Sequence, residues 1–145
     1  MHITQHTDYA LRVLMYLGSN TDRLVTIREI SERFDISRSH LMKVVNQLIR
    51  DGFVEGIRGN GGGLRLGCPA PSILVGDVVR RVECNMELVE CFAEGCNCIL
   101  DPNCKLKSTL TNALNAFLRV LDQVTLADLL DTPETKLLHV MRRVT

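Results

Sequence analysis

The sequence has no tryptophan, and aromatic residues make up only 4% of its 145 residues. Because 46% of the residues are hydrophobic, a core can still form, but it must consist mainly of Leu, Val and Ile. The formal net charge is zero, so no global positive field attracts the chain to nucleic acid. A DNA-binding surface would therefore have to be local, and the length favours one ordinary domain or two very small ones.

No apolar run is long enough to span a bilayer, and "MHITQHTDYALRVLMYLGSN" lacks the basic lead and apolar core of a secretory signal. We therefore expect a cytoplasmic protein that does not associate with membranes. The sequence also contains no nucleotide-binding loop and no catalytic triad pattern. We predict that it is not an enzyme, and we assign no catalytic residue.

After a first helix over residues 4–18, two capped amphipathic segments joined by a short turn predict a helix-turn-helix. The stretch "TIREISERF" opens with a capping box formed by Thr26 and Glu29. Ser37 caps the next helix, which ends at "DG". The apolar positions of that helix follow helical spacing and are Leu41, Val44, Val45, Leu48 and Ile49.

The segments "FVEGIR" and "LRL" are predicted to pair as strands across the glycine-rich "GNGGG". A hairpin directly after the second helix of a helix-turn-helix is typical of the wing of a winged helix. A helix follows at about Val75–Val82, and "KLKSTLTNALNAFLRVLDQV" predicts a long one. Its apolar seam consists of Leu106, Leu110, Ala113, Leu114, Phe117, Leu121 and Val124. A helix of this length has little of its own chain to pack on, so we expect a second subunit to cover it.

These elements predict a mainly α fold with a small β-hairpin, made of a winged helix-turn-helix and a long dimerisation helix. The predicted divisions are a DNA-binding domain, a cysteine-rich cluster-binding loop, a dimerisation helix region and a loosely held tail. Their boundaries are residues 1–82, 83–104, 105–130 and 131–145.

Polar side chains cover the outward face of the second helix of the helix-turn-helix. They are Arg38, Ser39, His40, Lys43, Asn46 and Gln47. These donors and acceptors suit base edges and phosphates, and Arg58 and Arg65 flank the glycine-rich tip of the wing. An ordinary solvated face is the alternative for the stripe alone. The order of helix, turn, helix and basic wing favours double-stranded DNA as a partner.

Four of the six cysteines are crowded into "ECFAEGCNCILDPNCKL". In a reducing compartment such a cluster indicates a metal site or redox chemistry rather than disulfides. Cys91, Cys98 and Cys104 have six and five residues between them, whereas using Cys96 as the middle thiol gives four and seven. Spacing alone does not separate zinc from iron–sulfur. We expect the two cysteines outside the run to be plain buried residues, and these are Cys68 and Cys84.

The motifs "TDYALR", "SRSHLMKVVNQL", "IRGNGGGLRLG", "GDVVR" and "ECF…C…DPNCKLK" resemble those of a family of iron–sulfur winged-helix transcription regulators. The family includes IscR-like and NsrR-like members, and the sequence is most similar to the nitric-oxide-sensing NsrR type, over nearly the whole chain to about Leu130. The resemblance implies three cysteine ligands, the last two with five residues between them. These are Cys91, Cys98 and Cys104, and Cys96 is an additional thiol.

The fourth ligand separates the branches of that family. IscR-like members, which repress iron–sulfur biogenesis, have a His three residues after the last cysteine, where this sequence has Lys107. Members like the nitric-oxide sensor use an Asp near the N-terminus, which corresponds to Asp8. The resemblance implies that Asp8 reaches the cluster across the dimer and couples it to DNA binding. The spacing of four residues, independently of the resemblance, predicts that Asp8 pairs with Arg12, which we include in this coupling. Asp8 would also be favourable simply as an acid in the first turn of a helix. We interpret the histidines as surface residues, and they are His2, His6, His40 and His139.

The expected protein is thus a homodimeric transcriptional repressor with one [4Fe–4S] cluster per subunit, or alternatively a [2Fe–2S] cluster. It would release promoter DNA when nitric oxide damages the cluster. Two other functions are compatible with the same fold. One is a regulator of the same family that senses iron–sulfur or iron availability, and the other is a DNA-binding protein whose cysteines hold structural zinc.

Overall fold

The computed structural model describes residues 2–100 and 103–140, the last four of them by their backbone only. The helices in these ranges are α1 (Gln5–Gly18), α2 (Ile27–Phe34), α3 (Arg38–Arg50), α4 (Val75–Val82), α5 (Lys105–Asp122), α6 (Leu126–Leu130) and α7 (Pro133–Val140). The two strands are β1 (Val54–Ile57) and β2 (Gly63–Leu66), and single 3₁₀ turns lie at Ala70–Ser72 and Glu90–Phe92. The predicted mainly α fold with one small hairpin is confirmed.

Capping side chains begin the first three helices, at Thr26 and Ser37 as the sequence predicts and at Thr4 for α1. Each accepts a hydrogen bond from a backbone N–H in the first turn, and that of Thr26 comes from Glu29 at 3.1 Å. The carboxylate of Glu29 is contacted by Arg23 and, at 2.6 Å, by the Tyr16 hydroxyl. Glu29 therefore joins the start of α2 to α1 in addition to its place in the capping sequence.

The turn between α2 and α3 is held by backbone geometry and one serine. Asp35 ends α2 in the left-handed conformation, with φ of 54°. The hydroxyl of Ser31 donates to the carbonyl oxygen of Ile36 at 2.6 Å. These features fix the angle at which α3 follows α2, which is what defines a helix-turn-helix.

The main core lies where α1, α3 and the hairpin meet. Its largest fully buried side chains include Leu14, Leu17, Ile30, Leu41 and Leu48. One residue predicted to lie in the core does not: Ile49 is 39% exposed. It follows the last core-facing turn of α3, and its Cδ1 lies beside Gly56 of the wing rather than in the core.

The hairpin is a two-stranded antiparallel sheet in which Glu55 faces Arg65 and Val54 faces Leu66. A bridge between Val25 and Leu64 adds a third segment to its inner edge. The hairpin is therefore anchored at its base to the helix-turn-helix, while its glycine-rich tip extends into solvent.

Helix α5 has two apolar faces, whereas its sequence pattern predicts one continuous seam. Leu118 is buried against Val75 and Val79 of α4, with Leu114 and Leu121 beside it. Several other apolar side chains of α5 are exposed, namely those of Leu106, Ala113, Phe117 and Val120. Leu118 and Val120 were not part of the predicted seam. Within the described residues, not even this 18-residue helix is long and apolar enough to cross a membrane.

The segment after α6 contains a helix that its sequence pattern does not predict. Residues 133–140 form α7, where only a loosely held tail was expected. Thr135 is buried, and its hydroxyl donates to the carbonyl oxygen of Leu130 at 2.6 Å. The start of α7 is thus fastened to α6, and the last part of the predicted tail, residues 141–145, lies outside the described residues.

Candidate functional site

The outward face of α3 is polar and cationic. Arg38, Ser39, Lys43 and Asn46 are all exposed there, as the sequence predicts, and so is Arg50 at the end of the helix. The helix carries no Asp or Glu. A helix face with three cations and no carboxylate complements the phosphates that border a DNA groove.

Two residues expected on this outward face lie on its flank instead. His40 is half-buried, with its ring centroid 4.8 Å from that of Tyr9 and 6.0 Å from that of His6. The amide of Gln47 donates to the backbone carbonyl of Arg81 at 2.9 Å. Both side chains face α1 and α4 because the helical period carries positions 40 and 47 to the same flank.

The histidines are thus not all surface residues. His2 is exposed, but His6 is half-buried like His40, and its Nε2 lies 2.8 Å from Oε1 of Gln47. The fourth, His139, lies outside the residues whose side chains are described. The contacts of His6 join α1 to α3, and the sequence gives no local signal for them because His6 and Gln47 are 41 positions apart.

The wing presents its two arginines differently. Arg58 is exposed next to Gly59, whose positive φ of 102° turns the chain at the tip. Arg65 instead forms an ion pair with Glu55 on the opposite strand, with Nε and Oε2 2.8 Å apart. The hydrogen bond and charge of Arg65 hold the pKa of Glu55 below its usual range. Glu55 therefore partly neutralises the charge of Arg65, whereas Arg58 forms no ion pair within the part of the chain that the structure describes.

The cysteine-rich loop joins α4 to α5. Cys91 and Cys104 are half-buried, with Cys104 immediately before α5, and Cys98 is exposed. All six cysteines are free thiols. The expectation that Cys68 and Cys84 are buried is wrong for Cys84, which is exposed, and only partly met by Cys68, which lies half-buried against the core.

The donor set of this loop fits a thiophilic metal or an iron–sulfur cluster by its chemistry, since its thiols are unpaired and accessible. Its arrangement in the single chain does not assemble a site. Among the described side chains, no three His, Cys, Asp or Glu residues lie close enough together to hold a metal ion. Gathering the predicted ligands therefore requires the loop to close or a second subunit to contribute.

Asp8 lies in the first turn of α1 and pairs with Arg12, as predicted. Its Oδ2 is 2.9 Å from Nη2 of Arg12, and both side chains are nearly half exposed. The guanidinium of Arg12 also lies 6.0 Å from the centre of the Tyr9 ring. Asp8 is thus held in a fixed direction at the surface, where it is accessible to another chain.

Glu83 connects the start of the cysteine loop to α1, and sequence reasoning missed it. Its Oε2 accepts from the Thr7 hydroxyl at 2.6 Å and from the backbone N–H and hydroxyl of Thr4, each at 3.1 Å. Burial raises the pKa of Glu83, but these hydrogen bonds outweigh it and bring the pKa below its usual value. No local pattern signals this contact because Thr7 and Glu83 are 76 positions apart in the sequence.

A groove of about 760 Å³ lies between the N-terminal segment, the end of α4 and α5. Its walls are mainly apolar and include Ile3, Leu110 and Phe117, with Glu83 at one edge. The exposed apolar face of α5 forms one side of it. The groove therefore brings together the start of α1, the start of the cysteine loop and the helix predicted to dimerise.

Comparison with known proteins identifies the family. The model of the Rrf2 family, described as an iron-dependent transcriptional regulator, matches residues 3–132. The HTH-type transcriptional regulator NsrR of Bacillus licheniformis is 48% identical over 132 residues, which are 90% of this chain and 92% of that protein. NsrR of Geobacillus kaustophilus is 49% identical over 133 residues, or 90% of each chain.

A solved structure has the same fold. That of CymR, the global cysteine regulator of B. subtilis, superposes with a TM-score of 0.73 at 27% identity. The match covers 89% of this chain and 95% of that one. This superposition confirms the predicted winged-helix fold. The matching family and the NsrR proteins are transcription regulators, which confirms the prediction that the chain is not an enzyme. The chain therefore belongs to the Rrf2 family of transcriptional regulators.

Proposed function

We propose that this regulator is a homodimeric repressor that binds promoter DNA, holds an iron–sulfur cluster in each subunit and releases the DNA in response to nitric oxide. One observation carries the proposal. Three free thiols at the predicted spacing lie between the winged helix and α5, in a chain 48–49% identical to proteins named NsrR. Free thiols at these positions also fit a reducing, cytoplasmic setting.

Cys91, Cys98, Cys104 and Asp8 are the proposed ligands of a [4Fe–4S] cluster, with [2Fe–2S] as the alternative. Thiolates are preferred ligands of such clusters. In this proposal nitric oxide would act on the irons of the cluster. Asp8 offers a hard carboxylate oxygen, which makes it the weakest ligand of the four. This chain has Lys107 where IscR-like members have a His ligand. The family resemblance therefore assigns the fourth ligand position to Asp8.

The homodimer is supported by the outer face of α5. Leu106 and Val120 are more than 60% exposed, and Phe117 lies between them on the same face. Leu106 and Phe117 are eleven positions apart, about three helical turns, and Val120 follows Phe117 by three positions, so all three side chains line one side of the helix, as in helices that pack against a partner. A second copy of α5 laid along this face would bury them, and the family resemblance implies that Asp8 then reaches the partner's cysteine loop.

The proposed coupling uses contacts within the chain. Glu83 ties the start of the cysteine loop to Thr4 and Thr7 at the start of α1. Gln47 then ties α3 to His6 of α1 and to the end of α4. If release of Asp8 moved α1, the shift would be passed to α3 through the core that the two helices share and through Gln47. Such a link between two sites is typically worth about 1–3 kcal/mol.

A second candidate is a regulator that responds to iron or cluster supply. The description of the matching family as iron-dependent favours it. Both candidates use the same ligands and the same DNA-binding surface, so the signal is what distinguishes them.

A DNA-binding protein whose cysteines hold structural zinc is the remaining alternative. Such a chain would contain zinc and no iron after anaerobic purification.

The deciding experiment is a DNA-affinity measurement on the anaerobically purified dimer across a nitric-oxide titration. The salt concentration must be constant, because protein–DNA affinity falls steeply with salt. We expect affinity to decrease together with the iron–sulfur absorbance. Constant affinity during complete loss of that absorbance would refute nitric-oxide control, and a response to iron depletion alone would favour the second candidate.

Two neighbouring cysteines provide a matched test of the ligand assignment. We expect Cys98→Ala to purify without a full complement of iron and sulfide, and Cys96→Ala to retain it. The two substitutions remove the same atom from the same loop, two residues apart. The reverse result would assign Cys96 as the middle ligand.

A further inference from the structure

Met42 is an apolar side chain in the middle of the polar outward face of α3. It is the fifth residue of that helix, and 52% of it is exposed. The buried positions of α3 are Leu41, Val44, Val45 and Leu48. Met42 is outside this core-facing set, so packing within the chain does not account for a methionine at this position.

Its neighbours on the helix surface are residues expected to contact DNA. Ser39 precedes Met42 by three residues and Asn46 follows it by four, and both are exposed. Side chains at these spacings lie next to one another on a helix. Any surface that contacts Ser39 and Asn46 therefore also meets Met42.

The charge around Met42 indicates what kind of surface that is. Arg38, Lys43 and Arg50 share the exposed side of α3, and the helix contains no carboxylate. An apolar protein surface would gain little from three surrounding cations, whereas a DNA groove is bordered by phosphates on both sides. The surface that fits this face is the DNA major groove, which is wide enough to admit an α-helix.

We propose that Met42 contacts the C5-methyl group of a thymine in the operator and makes DNA binding dependent on that methyl group. Thymine presents the only methyl group that the four bases expose in the major groove. Methionine is flexible and polarisable, so its side chain can adapt to a small apolar target. This inference rests on the proposed DNA-binding function and adds a specificity determinant to it.

Ile49 is an internal comparison for Met42. It is also apolar and 39% exposed on the same flank of α3, seven residues later. Its side chain, however, lies beside Gly56 of the wing, near the C-terminal end of the helix. Recognition helices contact base edges mainly through their N-terminal residues, so Met42 is placed for base contact and Ile49 supports the wing.

The test begins with duplex DNA selected from a random pool by the full-length, anaerobically purified protein. Each thymine of the selected half-site is then replaced by deoxyuridine, which removes only the methyl group. We expect one such replacement to weaken wild-type binding about fourfold per half-site, the effect of losing one buried methyl group. Met42→Ala should bind the thymine and deoxyuridine duplexes equally, and Met42→Leu should retain discrimination.

The controls separate this inference from the function on which it rests. Ile49→Ala should keep the wild-type ratio between thymine and deoxyuridine duplexes, and the helical content and subunit number of Met42→Ala should be unchanged. A selected duplex whose affinity is insensitive to every thymine methyl group, or equally sensitive in Met42→Ala, would overturn the inference alone. Dissociation of the Met42→Ala dimer would also overturn the inference, because it would show that Met42 is a subunit contact. Failure to select any duplex would refute the proposed DNA-binding function as well.

Discussion

Nε2 of His6 and the side-chain oxygen Oε1 of Gln47 lie 2.8 Å apart and join α1 to α3. An amide oxygen can only accept, so His6 donates through Nε2. The amide nitrogen of Gln47 donates in turn to the backbone carbonyl of Arg81. One side chain on the proposed recognition helix is thus bonded both to the helix that carries Asp8 and to the last turn of α4.

The first prediction concerns this link. We expect Gln47→Ala to lower the free energy of unfolding by about 1 kcal/mol, a typical value for a lost hydrogen bond, and to weaken specific DNA binding. The reason for weaker binding is that α3 loses its attachment to α1 and α4. Urea denaturation and a DNA titration at constant salt measure the two effects. The exposed Gln123→Ala is the control, and equal behaviour of the two variants would contradict the role of Gln47.

The second prediction concerns acid stability at Glu83. Its pKa is lower in the folded chain than the usual value near 4.3, so its contribution to stability is present above that pH and is lost as pH falls through the folded pKa. Glu83→Gln should therefore be less stable than wild type at pH 7, by about 1–2 kcal/mol for charged hydrogen bonds that are partly exposed. The difference between the two proteins should shrink below about pH 4.

Urea denaturation of both proteins across pH 3–7 makes this measurement. Thr7→Val provides a second variant, because it removes the 2.6 Å hydroxyl donor while keeping a side chain of similar shape. Its loss of stability should also be smaller at low pH than at pH 7. A pH-independent difference for both variants would mean that the ionised carboxylate of Glu83 does not contribute.

The third prediction concerns the wing. Glu55 pairs with Arg65 and places a negative charge beside the predicted DNA contact. Glu55→Gln should strengthen DNA binding and make the slope of log affinity against log salt steeper by about 0.9, the value for one more phosphate contact. Glu134→Gln on α7 changes the net charge by the same amount and is the control. An unchanged slope in Glu55→Gln would place Arg65 away from the DNA backbone.

The fourth prediction concerns the turn of the helix-turn-helix. Asp35 has an exposed side chain and a positive φ of 54°, a conformation that most residues adopt only with strain. Asp35→Ala should lower the free energy of unfolding by about 1 kcal/mol, and Asp35→Asn should remain close to wild type, since Asn tolerates this conformation. Thermal unfolding compares the two variants. Equal stability of the Ala and Asn variants would show that the backbone conformation at this position is not the determinant.

Much of the fold was determined by interactions that are close together in the sequence. Helix caps at Thr26 and Ser37, the periodic apolar positions of α4 and the glycine-rich tip of the wing act within about four residues, and the elements they predict are present. The ion pair between Asp8 and Arg12 is of the same kind. The cysteine ligands are different, because their assignment comes from family resemblance and stays a prediction.

The tertiary structure decided which faces and which distant partners these elements have. The sequence shows that α5 is apolar along its length, but only packing on α4 determines that Leu118 turns inward while Leu106 and Val120 stay exposed. Periodicity alone also predicts that Ile49 lies in the core and that Gln47 lies on the outward polar face of α3. The links made by Gln47 and Glu83 join residues 34 to 79 positions apart. Local propensity carries no information about such pairs, because they come together only when the helices pack around a common core.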